Sequence, residues 1–157
     1  MTTESTRPDT PPLTAQPIGY WSWLAHKAVV SHLRAAMARM DITQPQWWTL
    51  KHIDTADPVP TRDELCERLG GFLDMGPEAI GHAVDALVAR GWLAPDAAGR
   101  LWPTEAGREG TARIKALLKR LRSQIHDGIP EDDYATTLTV LRRMIRNVGG
   151  EDALHSA

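Results

Sequence analysis

Cysteine is nearly absent from this chain, which has one in 157 residues, Cys66. A single thiol excludes an internal disulfide and a multi-cysteine metal site. No apolar run approaches the roughly 20 residues needed to cross a bilayer, and no charged-then-apolar leader opens the sequence, so the expectation is a cytoplasmic protein without a membrane partner. The six histidines are scattered, and no HExxH, glycine-rich phosphate loop or nucleophile motif occurs. Catalysis, a metal and a cofactor are therefore not expected. Phenylalanine is scarce as well, one residue against six tryptophans, and the formal net charge is only −2. With 42% hydrophobic residues the chain can bury a real core, which fits one domain, or one domain with a dimerisation extension, and excludes a disordered protein.

What is present is a succession of helical patterns. Residues 1–16 are rich in threonine and proline and read as a flexible arm. From Ile18 to Met40 the positions Trp23, His26, Val30, Leu33, Met37 and Met40 alternate three and four apart, one apolar helical stripe. Thr43 caps a second helix with Pro45 near its start and Trp47, Leu50 and Ile53 inward. Thr61 and Glu64 then form a capping box ahead of Leu65 and Leu69. A further helix begins near Pro77, carries Ile80, Val84, Leu87 and Val88, and stops at Gly91. Trp92–Ala94 and Arg100–Trp102 read as two short strands joined by a turn over residues 95–99. Helix, turn, helix, hairpin, helix is the plan of a winged helix. Thr104 caps a following helix bearing Ile114, Leu117, Leu118, Leu121 and Ile125, which Gly128 and Pro130 break. Tyr134, Leu138, Leu141, Ile145 and Val148 lie on one stripe of a last helix, and residues 149–157 read as a tail.

The phrases RDELCERLG, AIGHAVDALVARGWL and PTEAGREG, with MDITQPQWWTLKHI upstream, resemble in order the helices of the MarR family of winged-helix transcriptional regulators over residues 18–148. The resemblance implies a mainly α fold with a small β-hairpin: a winged helix-turn-helix flanked by N- and C-terminal dimerisation helices. Its segments would be an arm (1–16), an N-terminal dimerisation helix (17–42), the DNA-binding domain (43–107), C-terminal dimerisation helices (108–148) and a tail (149–157). The terminal stripes exceed what a winged helix needs, so they pack within the chain or across a dimer. The resemblance implies the dimer, with Tyr134, Leu138, Leu141, Ile145 and Val148 at the interface. Such a homodimer would meet a pseudo-palindromic operator in double-stranded DNA.

It further implies a repressor released by a small aromatic effector. Trp21, Trp23, His26, Trp47, Trp48 and His52 fall in the two helices that wall the family's ligand site. The plainer alternative is that these rings are core or dimer packing. Cys66 reads as a small buried residue, since the family's redox-sensing cysteine lies near the first helix, where Cys66 does not.

Departures from the family bear on function. GGFLDMG stands where a tight link between the helix-turn-helix helices is usual, and the hairpin lacks the family's Asp-Arg-Arg run, leaving Arg100 as its one cation. Gly76 to Ala89 contains no lysine or arginine and offers Glu78, Gly81, His82 and Asp85 outward. Residues 61–103 hold four basic and seven acidic side chains, 4 − 7 = −3. Non-specific DNA affinity should therefore be weak. The expected DNA contacts are few: Glu78 to a cytosine amino group, His82 to a guanine or phosphate, Gly81 beside them, and Arg62, Arg90, Arg100 and Arg108 to phosphates. Residues 104–123, with six basic and two acidic side chains, form a solvated face or a further contact. The rival reading is a winged-helix dimer that has lost DNA affinity and serves as a ligand- or protein-binding module.

Overall fold

The computed structural model describes residues 11–70, 76 and 78–150. The expected arm and tail lie partly outside these residues, as does the long link; Pro77, the expected helix start, is wholly outside them. Among the described residues six α-helices and one hairpin follow in order: α1 (Ile18–Ala38), α2 (Gln44–Thr55), α3 (Arg62–Leu69), α4 (Glu78–Ala89), β1 (Leu93–Pro95), β2 (Leu101–Pro103), α5 (Glu105–Ile125) and α6 (Glu131–Asn147). The fold is mainly α with a two-stranded antiparallel sheet, as the sequence pattern predicts. Among the described residues no helix is long and apolar enough to cross a membrane.

Local chemistry sets most boundaries. Thr43 and Thr61 each accept from the amide three residues on, while Gln46 and Glu64 reach back to the cap amides, so two orphan donors are satisfied at each helix start. Thr104 supplies one half of such a cap for α5, accepting from the Gly107 amide at 3.1 Å, and glycine at 107 has no side chain to reach back. α4 ends in a Schellman closure: the Gly91 amide donates to Val88 and the Trp92 amide to Leu87, both at 2.9 Å, with Gly91 at φ +74. That closure corrects the expected first strand. Trp92 spends its amide ending the helix, so the ladder starts one residue later and Pro95, expected in the turn, is its last strand residue. Pairing runs Leu93 to Pro103, Ala94 to Trp102 and Pro95 to Leu101. Arg100, expected in the second strand, forms instead an isolated bridge with Thr61. The expected arm also includes an ordered piece, a 3-10 turn over Leu13–Ala15 closed by the Ala15 amide on the Pro12 carbonyl at 2.9 Å.

Contacts divide the chain into two compact units, residues 1–114 and 115–157, a boundary inside α5. In the first, α4 is the central element, packed on α2, α3 and β1. Leu50, Ile53, Leu65, Ile80, Val84, Leu87, Leu93 and Leu101 are all buried there. Each such side chain contributes about 1.5–3 kcal/mol when withdrawn from water. Thr49, which the apolar pattern passes over, is fully buried with them. Of α1 only Ala36 and Met37 are buried, so the expected stripe from Trp23 to Leu33 is left uncovered or half-covered within one chain. Asp41, at φ +60, turns the chain from α1 into α2.

In the second unit the α5–α6 turn passes through Gly128 at φ +72. Tyr134 packs its ring 4.3 Å from His126, and the Arg122 guanidinium lies 5.6 Å from the same ring. None of the side chains of α6 is buried. Val148, expected on its last turn, is the C-cap residue and 84% exposed.

Candidate nucleic-acid interface

The first turn of α3 and the outer face of α4 meet at a recess of about 270 Å³ lined by Arg62, Cys66, Glu78, Gly81 and His82. The helix-turn-helix plan brings these together: Thr61 fixes where α3 starts, and α4 turns Ile80, Ala83, Val84 and Leu87 inward, leaving Glu78, His82 and Asp85 exposed. Four of the seven expected DNA-binding residues therefore share one site. Gly81 is not outward as expected, because the Arg62 guanidinium covers it; a β-carbon there would sit 2.6 Å from Nη2. Cys66, expected to be a buried core residue, is half-buried and borders the recess.

Arg62 is bound to α4 by two hydrogen bonds. Its Nε donates to Asp85 Oδ1 at 2.9 Å and its Nη2 to Oδ2 at 2.8 Å. The bonded guanidinium holds the Asp85 carboxyl below the ordinary carboxylate range, and the pair raises Arg62 further above physiological pH. Both groups stay charged, and both side chains remain about half exposed, at 45% and 58%. The sequence pattern puts Asp85 outward, as observed, but names no partner for it; a pairing 23 positions apart leaves no local pattern to read.

The three other expected arginines are turned toward the protein. Arg90 donates from Nη1 to the Asp41 carbonyl at 2.7 Å and stacks 4.4 Å from the Trp92 ring, tying the end of α4 to the α1–α2 turn. Arg100, half-buried, donates from Nη1 to the Val59 carbonyl. With the Leu101 amide on the Pro60 carbonyl at 3.0 Å, it fastens the wing to the segment before α3. Arg108 donates to the Pro103 carbonyl at 2.8 Å, at the foot of the hairpin. At the wing tip Asp96 Oδ1 accepts from the amides of Ala98 and Arg100, and Oδ2 from Trp102 Nε1, each at 2.9 Å. Those donors hold the Asp96 carboxyl below its usual range, the indole contributing most. The wing carries one acid and one arginine, both hydrogen-bonded within the protein, and is not a basic finger.

The expected effector residues are spread over two helices. Trp21 and Trp23 are 47% and 54% exposed on α1, Trp21 donating to Gln16 Oε1 at 2.7 Å and Trp23 lying beneath the Lys27 ammonium. His26 is exposed on the same helix, whereas Trp47, Trp48 and His52 are half-buried on α2. His52 Nε2 and Thr49 Oγ1 are buried atoms without a hydrogen-bond partner among the described residues. A second cavity, of about 340 Å³, is lined by Arg34, Ala38, Ile42, Thr43, Gln44 and Pro45, none of them an expected effector contact. At the expected interface Leu138 is exposed, while Tyr134, Leu141 and Ile145 are half-buried. No group of three potential metal ligands occurs among the described residues.

No protein-family model matches the sequence. No curated protein matches it either. Solved structures do. A MarR-family protein of Mycobacterium tuberculosis in complex with DNA superposes with TM-score 0.64 at 18% identity, over 85% of this chain and 98% of that one. The reduced form of MarR from E. coli gives 0.63 at 21%, over 83% and 94%. The transcriptional repressor CouR bound to p-coumaroyl-CoA gives 0.63 at 26%, over 83% and 92%. These neighbours are transcriptional regulators rather than enzymes.

Proposed function

We propose that this chain, which has the winged-helix fold of the MarR-family regulators, is a dimeric, sequence-specific DNA-binding transcriptional regulator, a repressor released by a small aromatic effector. The observation that carries the reading is the convergence of Arg62, Glu78 and His82 on the outer face of the second helix of the helix-turn-helix. That is the face such folds lay in the major groove. The DNA-bound M. tuberculosis structure supports DNA as a partner, and the p-coumaroyl-CoA in CouR supports an aromatic acyl ligand.

The dimer is supported by apolar surface that a single chain leaves open. Ile18, Tyr20, Trp21 and Trp23 on α1 and Leu138, Val140 and Met144 on α6 are all exposed. Residues 17–42 and 108–148 are proposed as the dimerisation segments around the DNA-binding domain at 43–107, in a cytoplasmic protein. An effector held by Trp47, Trp48 and His52 with the α1 aromatics releases DNA only by binding the DNA-incompetent state more tightly.

The test is a fluorescence-anisotropy titration against duplexes tiling the region upstream of its own gene, at low and physiological salt. Saturable binding that survives competitor supports a regulator. A second reading, a winged-helix dimer serving as a ligand- or protein-binding module, is favoured by one observation: the −3 balance of residues 61–103, with Arg62, Arg90 and Arg100 each bonded to an acceptor of the protein itself. Absence of binding at both salts supports that module, and tryptophan quenching would then screen its ligands.

A further inference from the structure

α4 has no cation of its own from Glu78 to Ala89, yet a guanidinium lies across its outer face. Arg62 delivers it from the first turn of α3. The absent side chain of Gly81 makes room: a β-carbon would stand 2.6, 3.0 and 3.2 Å from Nη2, Cζ and Nη1. Asp85 then fixes its rotation by taking Nε and one hydrogen of Nη2. A guanidinium has five N–H groups. The Asp85 bonds occupy the Nε–Nη2 edge, which leaves three, two of them side by side on the edge formed by Nη1 and Nη2. That edge has the fork geometry that matches O6 and N7 of guanine in the major groove.

We propose that Arg62, seated over Gly81 and oriented by Asp85, is the base-reading cation of α4 and selects a guanine in each half-site, with Asp85 as its positioning residue. The inference rests on the regulator reading and names the residue that sets its specificity. Charge argues for a base rather than a phosphate. The Arg62–Asp85 pair is neutral as a unit, so it adds little to general attraction for the backbone, and what it offers is directional hydrogen bonding. A side chain already fixed by two bonds also loses less freedom on docking than a free arginine. Glu78 and His82 flank it on the recess and are placed to read neighbouring base edges.

The experiment selects duplexes from a randomised pool with the full-length protein. Anisotropy is then measured on the winning duplex and on each single-base variant, for wild type, Arg62→Ala, Arg62→Lys, Asp85→Ala and the double alanine variant. The inference predicts that all four variants lose discrimination at the same G·C pair, by about tenfold or more, the scale of a bidentate arginine–guanine contact. Asp85→Ala tightens binding to random duplex at the same time, because it removes a negative charge, and the double variant discriminates no worse than Arg62→Ala. Melting curves separate loss of fold from loss of reading. Arg62→Lys, which keeps the charge, carries the test if the alanine variant does not fold. A uniform loss for Arg62→Ala, with the base preference kept and the salt slope reduced by about one, would make Arg62 a phosphate contact and overturn the inference while leaving the regulator intact. Unchanged discrimination in Asp85→Ala overturns the positioning role. Failure of the wild type to enrich any duplex overturns both this inference and the regulator reading.

Discussion

The backbone carbonyl of Trp92 occupies the space that a β-carbon on Gly107 would need, and the Trp92 indole does the same at Gly110. Trp92 is the residue that closes α4, and its carbonyl also accepts the Thr104 amide at 3.0 Å. One residue thereby joins the end of α4, the foot of the wing and the first turns of α5. The approach is possible because α5 shows two glycines, three positions apart, to that residue.

Gly107→Ala is therefore expected to destabilise the fold by about 2–3 kcal/mol, the upper part of the range for overpacking, because the obstacle is backbone. Gly110→Ala falls lower in that range, since it meets a side chain. Urea denaturation followed by circular dichroism measures both. Equal or greater stability for Gly107→Ala would mean that α5 does not lie against Trp92 as described.

Arg100→Ala is expected to act on stability before it acts on DNA. Its guanidinium holds the Val59 carbonyl, so its removal costs about 1.5–3 kcal/mol for a hydrogen bond with a charged donor. Thermal melting without DNA reads this directly. An unchanged melt together with a sequence-independent loss of DNA affinity would restore Arg100 to a phosphate contact.

The wing tip predicts a pH dependence. The Trp102 indole and the amides of Arg100 and Ala98 depress the Asp96 carboxyl in the folded chain, so the unfolded chain takes up its proton first as the pH falls. The contribution of Asp96 is complete above the unfolded carboxylate's pKa and is lost as pH falls through the lower, folded value. Asp96→Asn should lower stability at neutral pH and flatten that part of the acid limb. Parallel pH–stability curves for variant and wild type would show that Asp96 is not the group involved.

The open face of α6 predicts an oligomeric effect. Leu138 is 42% exposed within one chain, so Leu138→Glu should leave the folding of the chain almost unchanged while weakening a dimer by placing a charge in an apolar seam. Sedimentation equilibrium is expected to show dimer for wild type and a shift toward monomer for the variant. Identical distributions would place the dimer elsewhere or remove it.

Much of the fold was legible because it is written in local chemistry. Thr43 and Thr61 announce helix starts with side chains that reach only three residues, and Gly91 announces a stop by needing a positive φ. The limits of that reading are visible in Trp92, which looks like the start of a strand until its amide is found on the Leu87 carbonyl. The site was less legible, since its decisive contacts join distant positions. Arg62 and Asp85 are 23 residues apart, Arg90 and Asp41 are 49, and Arg100 and Val59 are 41. Nothing in composition or spacing signals that arginines expected to face DNA are spent on carbonyls. Gly81 was a partial clue: a glycine inside a helix costs about 1 kcal/mol relative to alanine, which invites a search for whatever its missing side chain makes room for.

The salt dependence of binding to one selected duplex and to a random duplex of equal length tests the central claim most directly. A recognition face that is locally acidic, with its arginines largely engaged, predicts saturable binding of the dimer to the selected duplex. Its slope against log salt should be shallow, no steeper than about −5, with little binding to random DNA. Absence of saturable binding to any duplex at low salt, or equal affinity for both duplexes, would contradict the account.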